Sequence, residues 1–377
     1  MSVFSWGANS HGQLGLGIES ELCMAPEVVR LPFNPNTIKE IKGGGGHVMV
    51  LNIYGQVYTC GWNNRGQLGL NLEDFHNSEF TYIPQELFDS STTTVTKIAC
   101  GWDISGAITS TGKLYVWGAN NYQQLGLCLK GFNSIRRPLQ LQLPRDEIVK
   151  DVSFGLRHCS VLTEDNNIYI FGRLRLSEPH PHGIRASLMV YNKTDIIKIQ
   201  TDFPIGSVIS GQNHCLLLTE DRKRIIGLGD NKFGQANQFD FADEVKEVKA
   251  GWTHNAVLSV KKEVFLWGRN TYGQIGVDTL QEVFRIPTKL ALPKEVVPTE
   301  IHLGSEHGLL LTQNGEVMTW GWNEHGNCGN GNVNNVFTPE VIELPTRCRV
   351  AGTGAGFCYV VCESTSPSPT TSPTTPT

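Results

Sequence analysis

Hydrophobic and polar positions alternate in short runs along the whole chain, and no capped stretch with the 3.6-residue period of an amphipathic helix interrupts them. The segment from His307 to Gly321 is typical. Two β-rich runs, HGLLLT and EVMTWG, flank a polar Gln-Asn-Gly, which is the pattern of a β-hairpin whose turn glycine supplies a positive φ. A third run lies upstream of each such pair, as at Thr37 to Ile41, Thr94 to Ala99 and Glu244 to Ala250. The pattern therefore predicts units of three or four antiparallel strands, and it recurs.

Two markers count the units. The first is Trp-Gly, then Asn, then a Gly-Gln-Leu-Gly turn: Trp6-Gly7-Ala8-Asn9 with Gly12 to Gly15, Gly61-Trp62-Asn63 with Gly66 to Gly69, and Trp117-Gly118-Ala119-Asn120 with Gln124 to Gly126. Weaker copies begin at Gly229, Trp267 and Trp320, and Phe171-Gly172 keeps only the first half. The second marker is Gly-x-x-His entering an apolar run, at Gly44, Gly155, Gly211, Gly251 and Gly304, with two further copies, at Gly101 and Gly354, that lack the His. Each marker thus occurs seven times. The last position of the second precedes the Gly of the next Trp-Gly by 14 residues in five cases and by 15 in the sixth.

One small sheet cannot bury both faces, but seven arranged radially can, so the expected fold is all-β, a seven-bladed β-propeller. A helical solenoid, the other architecture for a repeat of this length, lacks its helices. The chain opens on the strand before Trp6-Gly7 and ends on Gly354 to Val361 with no Trp-Gly after it. The two halves complete one another: residues 2–7 are expected to pair with residues near 357–362, closing the ring and removing an open sheet edge. Residues 1–363 are then a single propeller. Residues 364–377, only Ser, Thr and Pro, are expected to be a disordered tail.

Composition adds exclusions. Forty glycines suit a turn-rich fold, and 31 basic against 36 acidic residues, a formal charge of −5, argue against a nucleic-acid binder that works by neutralising phosphates. No apolar run is long enough for a membrane span, and no leader pattern opens the chain, so neither membrane insertion nor secretion is expected. Cys60, Cys100, Cys159 and Cys215 lie in apolar runs and read as buried thiols rather than disulfide or zinc cysteines. No nucleophile elbow, phosphate loop, dinucleotide fingerprint or HExxH occurs, so no catalytic residue, metal or cofactor is assigned and the chain is not expected to be an enzyme.

The repeated His and Trp residues read as scaffold. Each His ties neighbouring strands, Gly lets the backbones approach, and Trp wedges between blades. Function is sought where equivalent positions differ. The two residues between Gly and His run around one rim as Gly45-Gly46, Trp102-Asp103, Leu156-Arg157, Gln212-Asn213, Trp252-Thr253, Ser305-Glu306 and Ala355-Gly356. Trp102, Asp103, Arg157, Asn213, Trp252 and Glu306 are the candidate partner-binding residues, the mixture of aromatic, charged and amide groups that protein-binding surfaces favour. The competing reading is that Trp102 and Trp252 only fill space between blades. The irregular stretch from Arg173 to Gln200 is either a decayed repeat or a docking loop carrying Arg173, Arg175 and Arg185 among apolar residues.

Gly-x-x-His combined with Trp-Gly-x-Asn-x-x-Gly-Gln-Leu-Gly resembles the regulator of chromosome condensation repeat family from about residue 2 to residue 362. The strings FSWGANSHGQLGLG, GGGGH, ACGWD, GLRH, GWTH, GSEH and WGWNEHG are similar to those of its exchange-factor branch. The resemblance implies a propeller that binds a small GTPase, promotes nucleotide release, associates with exocytosis through an exocyst subunit, and resides in cytoplasm and nucleus. The alternative is a noncatalytic scaffold that holds vesicle-tethering proteins on the same rim without exchange activity, and in either case a monomer is expected. In the member that acts on Ran, acidic residues just before the His face the GTPase. The matching acids here are Asp103 and Glu306, while Gly46, Arg157, Asn213, Thr253 and Gly356 fill the other slots. That incomplete set argues against Ran as the substrate.

Overall fold

The computed structural model describes residues 1–364 except 91, 128, 130, 177–179, 192 and 193. The expected disordered tail, apart from Ser364, lies outside the described residues. Seven antiparallel sheets stand around a central axis. In chain order their innermost strands are Ile38–Gly43, Val95–Cys100, Val149–Phe154, Ile205–Ser210, Val245–Ala250, Pro298–Leu303 and Cys348–Thr353, which number blades 1 to 7.

The constant spacing of the two markers has a simple geometric cause. His47 sits opposite Gly61 across the central hairpin of blade 1, and His158 and Gly172, His254 and Gly268, and His307 and Gly321 repeat the pair. Fourteen residues is the length of that hairpin measured from one end to the other. In blade 4 the spacing is 15, yet His214 still faces Gly229, because the extra residue lies in the turn between Leu218 and Ile225. The seventh pair is Phe357 and Gly7, formed between the two ends of the chain.

Closure is as the markers require. Ser2–Ala8 pairs antiparallel with Phe357–Cys362, from Ser2 opposite Cys362 to Gly7 opposite Phe357, and Leu22–Val29 completes blade 7. The Met1 amino group donates to Ser364 Oγ at 2.6 Å. Blade 3 departs from the four-stranded plan. Its third strand, Ile168–Gly172, pairs with Thr194–Thr201, which folds back on Ile184–Tyr191 to give five strands.

Blade-to-blade packing explains the Trp-Gly marker. Trp6, Trp117, Trp267 and Trp320 are fully buried, and the indole N–H groups of Trp6, Trp117 and Trp320 donate to the carbonyls of Asn327, Gln67 and Gln274 in the preceding blades. The final glycine of the preceding turn makes room: a Cβ on Gly329 would lie 2.7 Å from the Trp6 indole, and one on Gly69 2.8 Å from that of Trp117. The Asn of the motif holds the turn together. Its side-chain oxygen accepts the N–H five residues on in all six complete copies, Asn9 from Leu14, Asn63 from Leu68, Asn120 from Leu125, Asn231 from Ala236, Asn270 from Ile275 and Asn323 from Cys328.

One sequence expectation is corrected. Cys348 and Cys362, neither singled out from the sequence, face each other on adjacent strands of blade 7 and form a disulfide. Sequence separation hides such a pair; strand register creates it. Cys60, Cys159 and Cys215 are buried free thiols, and Cys100 is half-buried.

Candidate functional site

The five Gly-x-x-His imidazoles are fully buried, and burial pushes His47, His158 and His254 down to about 3 and His214 and His307 to about 4, so all are neutral. Three reach the next blade: His47 Nε2 to Ser105 Oγ at 2.8 Å, His214 Nε2 to Asn255 Oδ1 at 2.8 Å, and His307 Nε2 to Cys358 Sγ at 3.3 Å. Among the described residues, His158 and His254 have no hydrogen-bond partner for either ring nitrogen. Each ring lies against its own motif glycine, where a Cβ would come within 2.0–2.3 Å of the imidazole. These are structural residues, and among the described residues no cluster of His, Cys, Asp or Glu is arranged to hold a metal.

The loops those histidines anchor form a closed hoop. Backbone N–H groups donate from Gly45 to Trp102, Trp102 to Gly155, Leu156 to Gln212, Gln212 to Trp252, Trp252 to Ser305, Ser305 to Ala355, and Ala355 to Gly44, with N···O distances of 2.7–3.4 Å. Seven hydrogen bonds thus encircle the axis at the mouth of the channel. The channel itself has a volume of about 110 Å³, and the first glycine of all seven Gly-x-x-His or related motifs is in its lining.

Above the hoop opens a funnel of about 510 Å³. Trp102 of blade 2 and Trp252 of blade 5, which are not adjacent blades, meet across it, ring centroids 5.2 Å apart and tilted by 50°, so they contact one another over the axis rather than only filling space between neighbouring blades. Trp62, Trp322 and Tyr272 complete its aromatic wall. His11 packs on Trp62 at 4.5 Å, and His325 on Trp322 at 5.0 Å.

Glu306 lies at the funnel's edge, 6% exposed. Its carboxylate accepts hydrogen bonds from Gln274 Nε2 at 2.6 Å and from Thr253 Oγ1 at 3.2 and 3.3 Å. Arg269 Nη1 is 3.9 Å away, and Arg269 itself leans on the rings of Tyr272 and Phe233. Burial raises the Glu306 carboxyl above its usual range, against the pull of Gln274, Arg269 and Thr253. Asp103 behaves similarly: burial lifts it to about 6 although Arg65 and its own N–H draw it down. Both carboxylates are therefore kept at an energetic disadvantage that a cation brought by a partner would relieve.

The structure thus gathers Trp102, Trp252 and Glu306 at the funnel. Asp103 is beside Arg65 and outside its lining, and Arg157 and Asn213 occupy a separate depression between blades 3 and 4. Trp62, Trp322, Tyr272, Arg269, His11 and His325 were missed. Their signal was in the other marker: the residue after each Trp-Gly glycine reads Ala8, Trp62, Ala119, Arg173, Asp230, Arg269 and Trp322, and the second residue after each Asn reads His11, Arg65, Tyr122, Phe233, Tyr272 and His325. These are two more varied rings, the outer one mostly aromatic.

Comparison with known proteins accords with this architecture. The family model described as the RCC1-like domain matches residues 2–362. The chain is 31% identical to the secretion-regulating guanine nucleotide exchange factor of Mus musculus over 96% of its own length and 83% of that protein, and 30% identical to the Bos taurus protein of the same name over the same shares. Among solved structures it is similar to Prp20p from Saccharomyces cerevisiae, a protein described with binding properties to Gsp1p and histones, with a TM-score of 0.82, 22% identity, and coverage of 96% of this chain and 92% of that one. The expectation that the chain is not an enzyme is corrected by these relatives, since guanine nucleotide exchange factors catalyse exchange. The lack of a nucleophile or acid–base motif does not bear on such an activity, because nucleotide release breaks no covalent bond and requires only differential binding.

Proposed function

Because the chain belongs to the RCC1-like domain family, we propose that it is a guanine nucleotide exchange factor or regulator for a small GTPase, which it engages on the face bearing the aromatic funnel. The observation that carries this reading is the identity of about 31% to a guanine nucleotide exchange factor along 96% of the chain. The funnel supplies chemistry suited to the task. Tryptophan and arginine are the anchors that dominate protein–protein binding, and here they surround a carboxylate that lacks a full counter-charge. A factor that binds the nucleotide-free GTPase more tightly than the loaded one must weaken nucleotide binding by the same ratio. Glu306 and Asp103 would contribute by attracting a lysine or arginine that otherwise holds phosphate, or by competing with the Mg²⁺ site. Each carboxylate regains a favourable environment only when the cation arrives.

The proposal extends to a role in secretion, with an exocyst subunit as a second partner and action in both cytoplasm and nucleus. Among the described residues no helix is long and apolar enough to cross a membrane. The test is capture of nucleotide-free small GTPases on the immobilised chain, followed by release of fluorescent GDP from those retained. Accelerated release that falls at least tenfold in the Asp103→Ala, Glu306→Ala double variant supports the reading. Binding with no acceleration of release across the panel would refute the exchange activity, and unchanged exchange in the variant would remove the two acids from it.

A further inference from the structure

Blade 3 is the blade that lacks the Asn-x-x-Gly-Gln turn, and the rim there differs in kind. In other blades the turn closes over the Trp-Gly glycine of the next blade: a Cβ on Gly61 would meet Gln13 Cβ at 3.0 Å, and one on Gly172 would meet Gln124 Cβ at 2.8 Å. Over Gly229 of blade 4 the corresponding atom is Leu174 Cδ1, at 2.9 Å. Leu174 fills the floor, and beside it the rim opens into a depression of about 1010 Å³.

Arg157, Arg173 and Arg175 line this notch, with Leu176 and Asn213. All three arginines are exposed. Arg157 and Arg173 lean on the same ring, their guanidinium carbons 5.0 and 4.8 Å from the centroid of Tyr122. Two like charges are therefore held at one aromatic face. Among the described residues none of the three has a carboxylate within ion-pair distance, whereas the arginines nearby are neutralised: Arg185 by Asp202 at 2.6 Å and Arg224 by Asp240 at 2.6 Å. Arg185, grouped with Arg173 and Arg175 on sequence grounds, therefore belongs to the outer hairpin and not to the notch. The acid in the lining is Asp230, exposed and already engaged by Gln235 Nε2 at 3.0 Å and the Lys232 N–H at 3.3 Å.

We propose that this notch is a docking site for an acidic polypeptide segment of a partner protein, one carrying at least two carboxylates along an extended stretch. Three features of the notch select that occupant. The lining carries three arginines against the single Asp230, among the described residues none of those arginines is ion-paired, and guanidinium groups bind carboxylates through paired hydrogen bonds. The volume is at the upper end of sites that hold whole small molecules, far more than a single anion fills. Leu174 and Leu176 give part of the lining an apolar character that a peptide's side chains can cover, while alternate residues of an extended segment, roughly 6–7 Å apart, can reach successive arginines. Tyr122 pre-positions two of those arginines and so lessens the side-chain ordering that binding would demand. The inference does not rest on exchange activity: a propeller without it would present the same notch.

The test is fluorescence anisotropy of the full chain with fluorescein-labelled hexaglutamate, with hexalysine and inorganic phosphate as comparison ligands. Saturable hexaglutamate binding is expected, weakened about tenfold or more by Arg157→Gln with Arg173→Gln, weakened by raised salt, and unchanged by Arg349→Gln, an exposed arginine outside the notch. Arg175→Glu, an exposed and unpaired position, provides a second variant with the same expected direction should the double substitution lower stability. Tyr122→Leu is expected to weaken binding with all three arginines still present. Absence of saturable binding, equal binding by the double variant, or displacement of the peptide by inorganic phosphate at micromolar concentration would each overturn the proposal, the last by pointing to a phosphoryl ligand.

Discussion

Asp103→Asn is expected to make the protein more stable and less active. The carboxyl sits in the loop between Val95–Cys100 and Ile104–Thr109 of blade 2, where burial raises it from an ordinary 3.8 to about 6. Each unit corresponds to about 1.4 kcal/mol, so the ionised group disfavours the folded state by about 2 to 3 kcal/mol at neutral pH. The sign follows from linkage. An acid whose folded value is raised favours folding relative to its ionised form only while protonated; the advantage is complete below about pH 4 and lost as pH rises through about 6. Asparagine keeps the shape and removes the charge, so its gain should be full at pH 7.5, roughly half that at pH 5, and absent below about pH 4. Urea unfolding of both proteins at the three pH values, with equal m-values, measures it. GDP release from the bound GTPase should slow in the same variant. A variant less stable than the parent at pH 7.5, or a gain that does not change with pH, would refute the reasoning.

Three further substitutions address the scaffold. Lys262 has φ +65° at the hairpin turn where blades 1, 2 and 6 place Gly55, Gly112 and Gly315, so Lys262→Gly should raise the urea midpoint by an amount equivalent to about 1 kcal/mol. Asn323→Ala removes the bond accepted from Cys328 N–H and those donated to Asn330, Asn332 and Asn334, and should lower stability by about 2 to 4 kcal/mol in the same assay. Gly329→Ala places a Cβ 2.7 Å from the Trp6 indole at a residue with φ +66°, and calorimetry should show a loss above about 2 kcal/mol with no change in secondary structure by circular dichroism.

The ring closure and the blade number were legible because they depend on residues that steric demand makes repeat: glycine where an imidazole or an indole presses on the backbone, asparagine where a turn N–H needs an acceptor. The funnel face was only partly legible. Trp102, Trp252 and Glu306 could be placed because their loop is defined by fixed flanking residues. Trp62 and Trp322 were not, because they follow the motif glycine whereas the wedge Trp precedes it, and only strand register separates the two positions, one buried and one facing the funnel. Arg157 and Asn213 share the loop class of Trp252, yet the absent turn of blade 3 draws them into a different depression. The Cys348–Cys362 pair could not be read at all, since nothing in the local sequence encodes which residue of a neighbouring strand lies opposite.

The hoop of seven amide-to-carbonyl bonds has a mechanical consequence. Surface loops ordinarily yield to what they bind, but a closed circuit has no free end at which to begin yielding, and displacing one member strains its two neighbours. The amides of Gly45, Trp102 and Trp252 should accordingly exchange with deuterium as slowly as those of the core strands. A partner that docked at this mouth would meet an anvil, and the deformation of docking would fall on that partner.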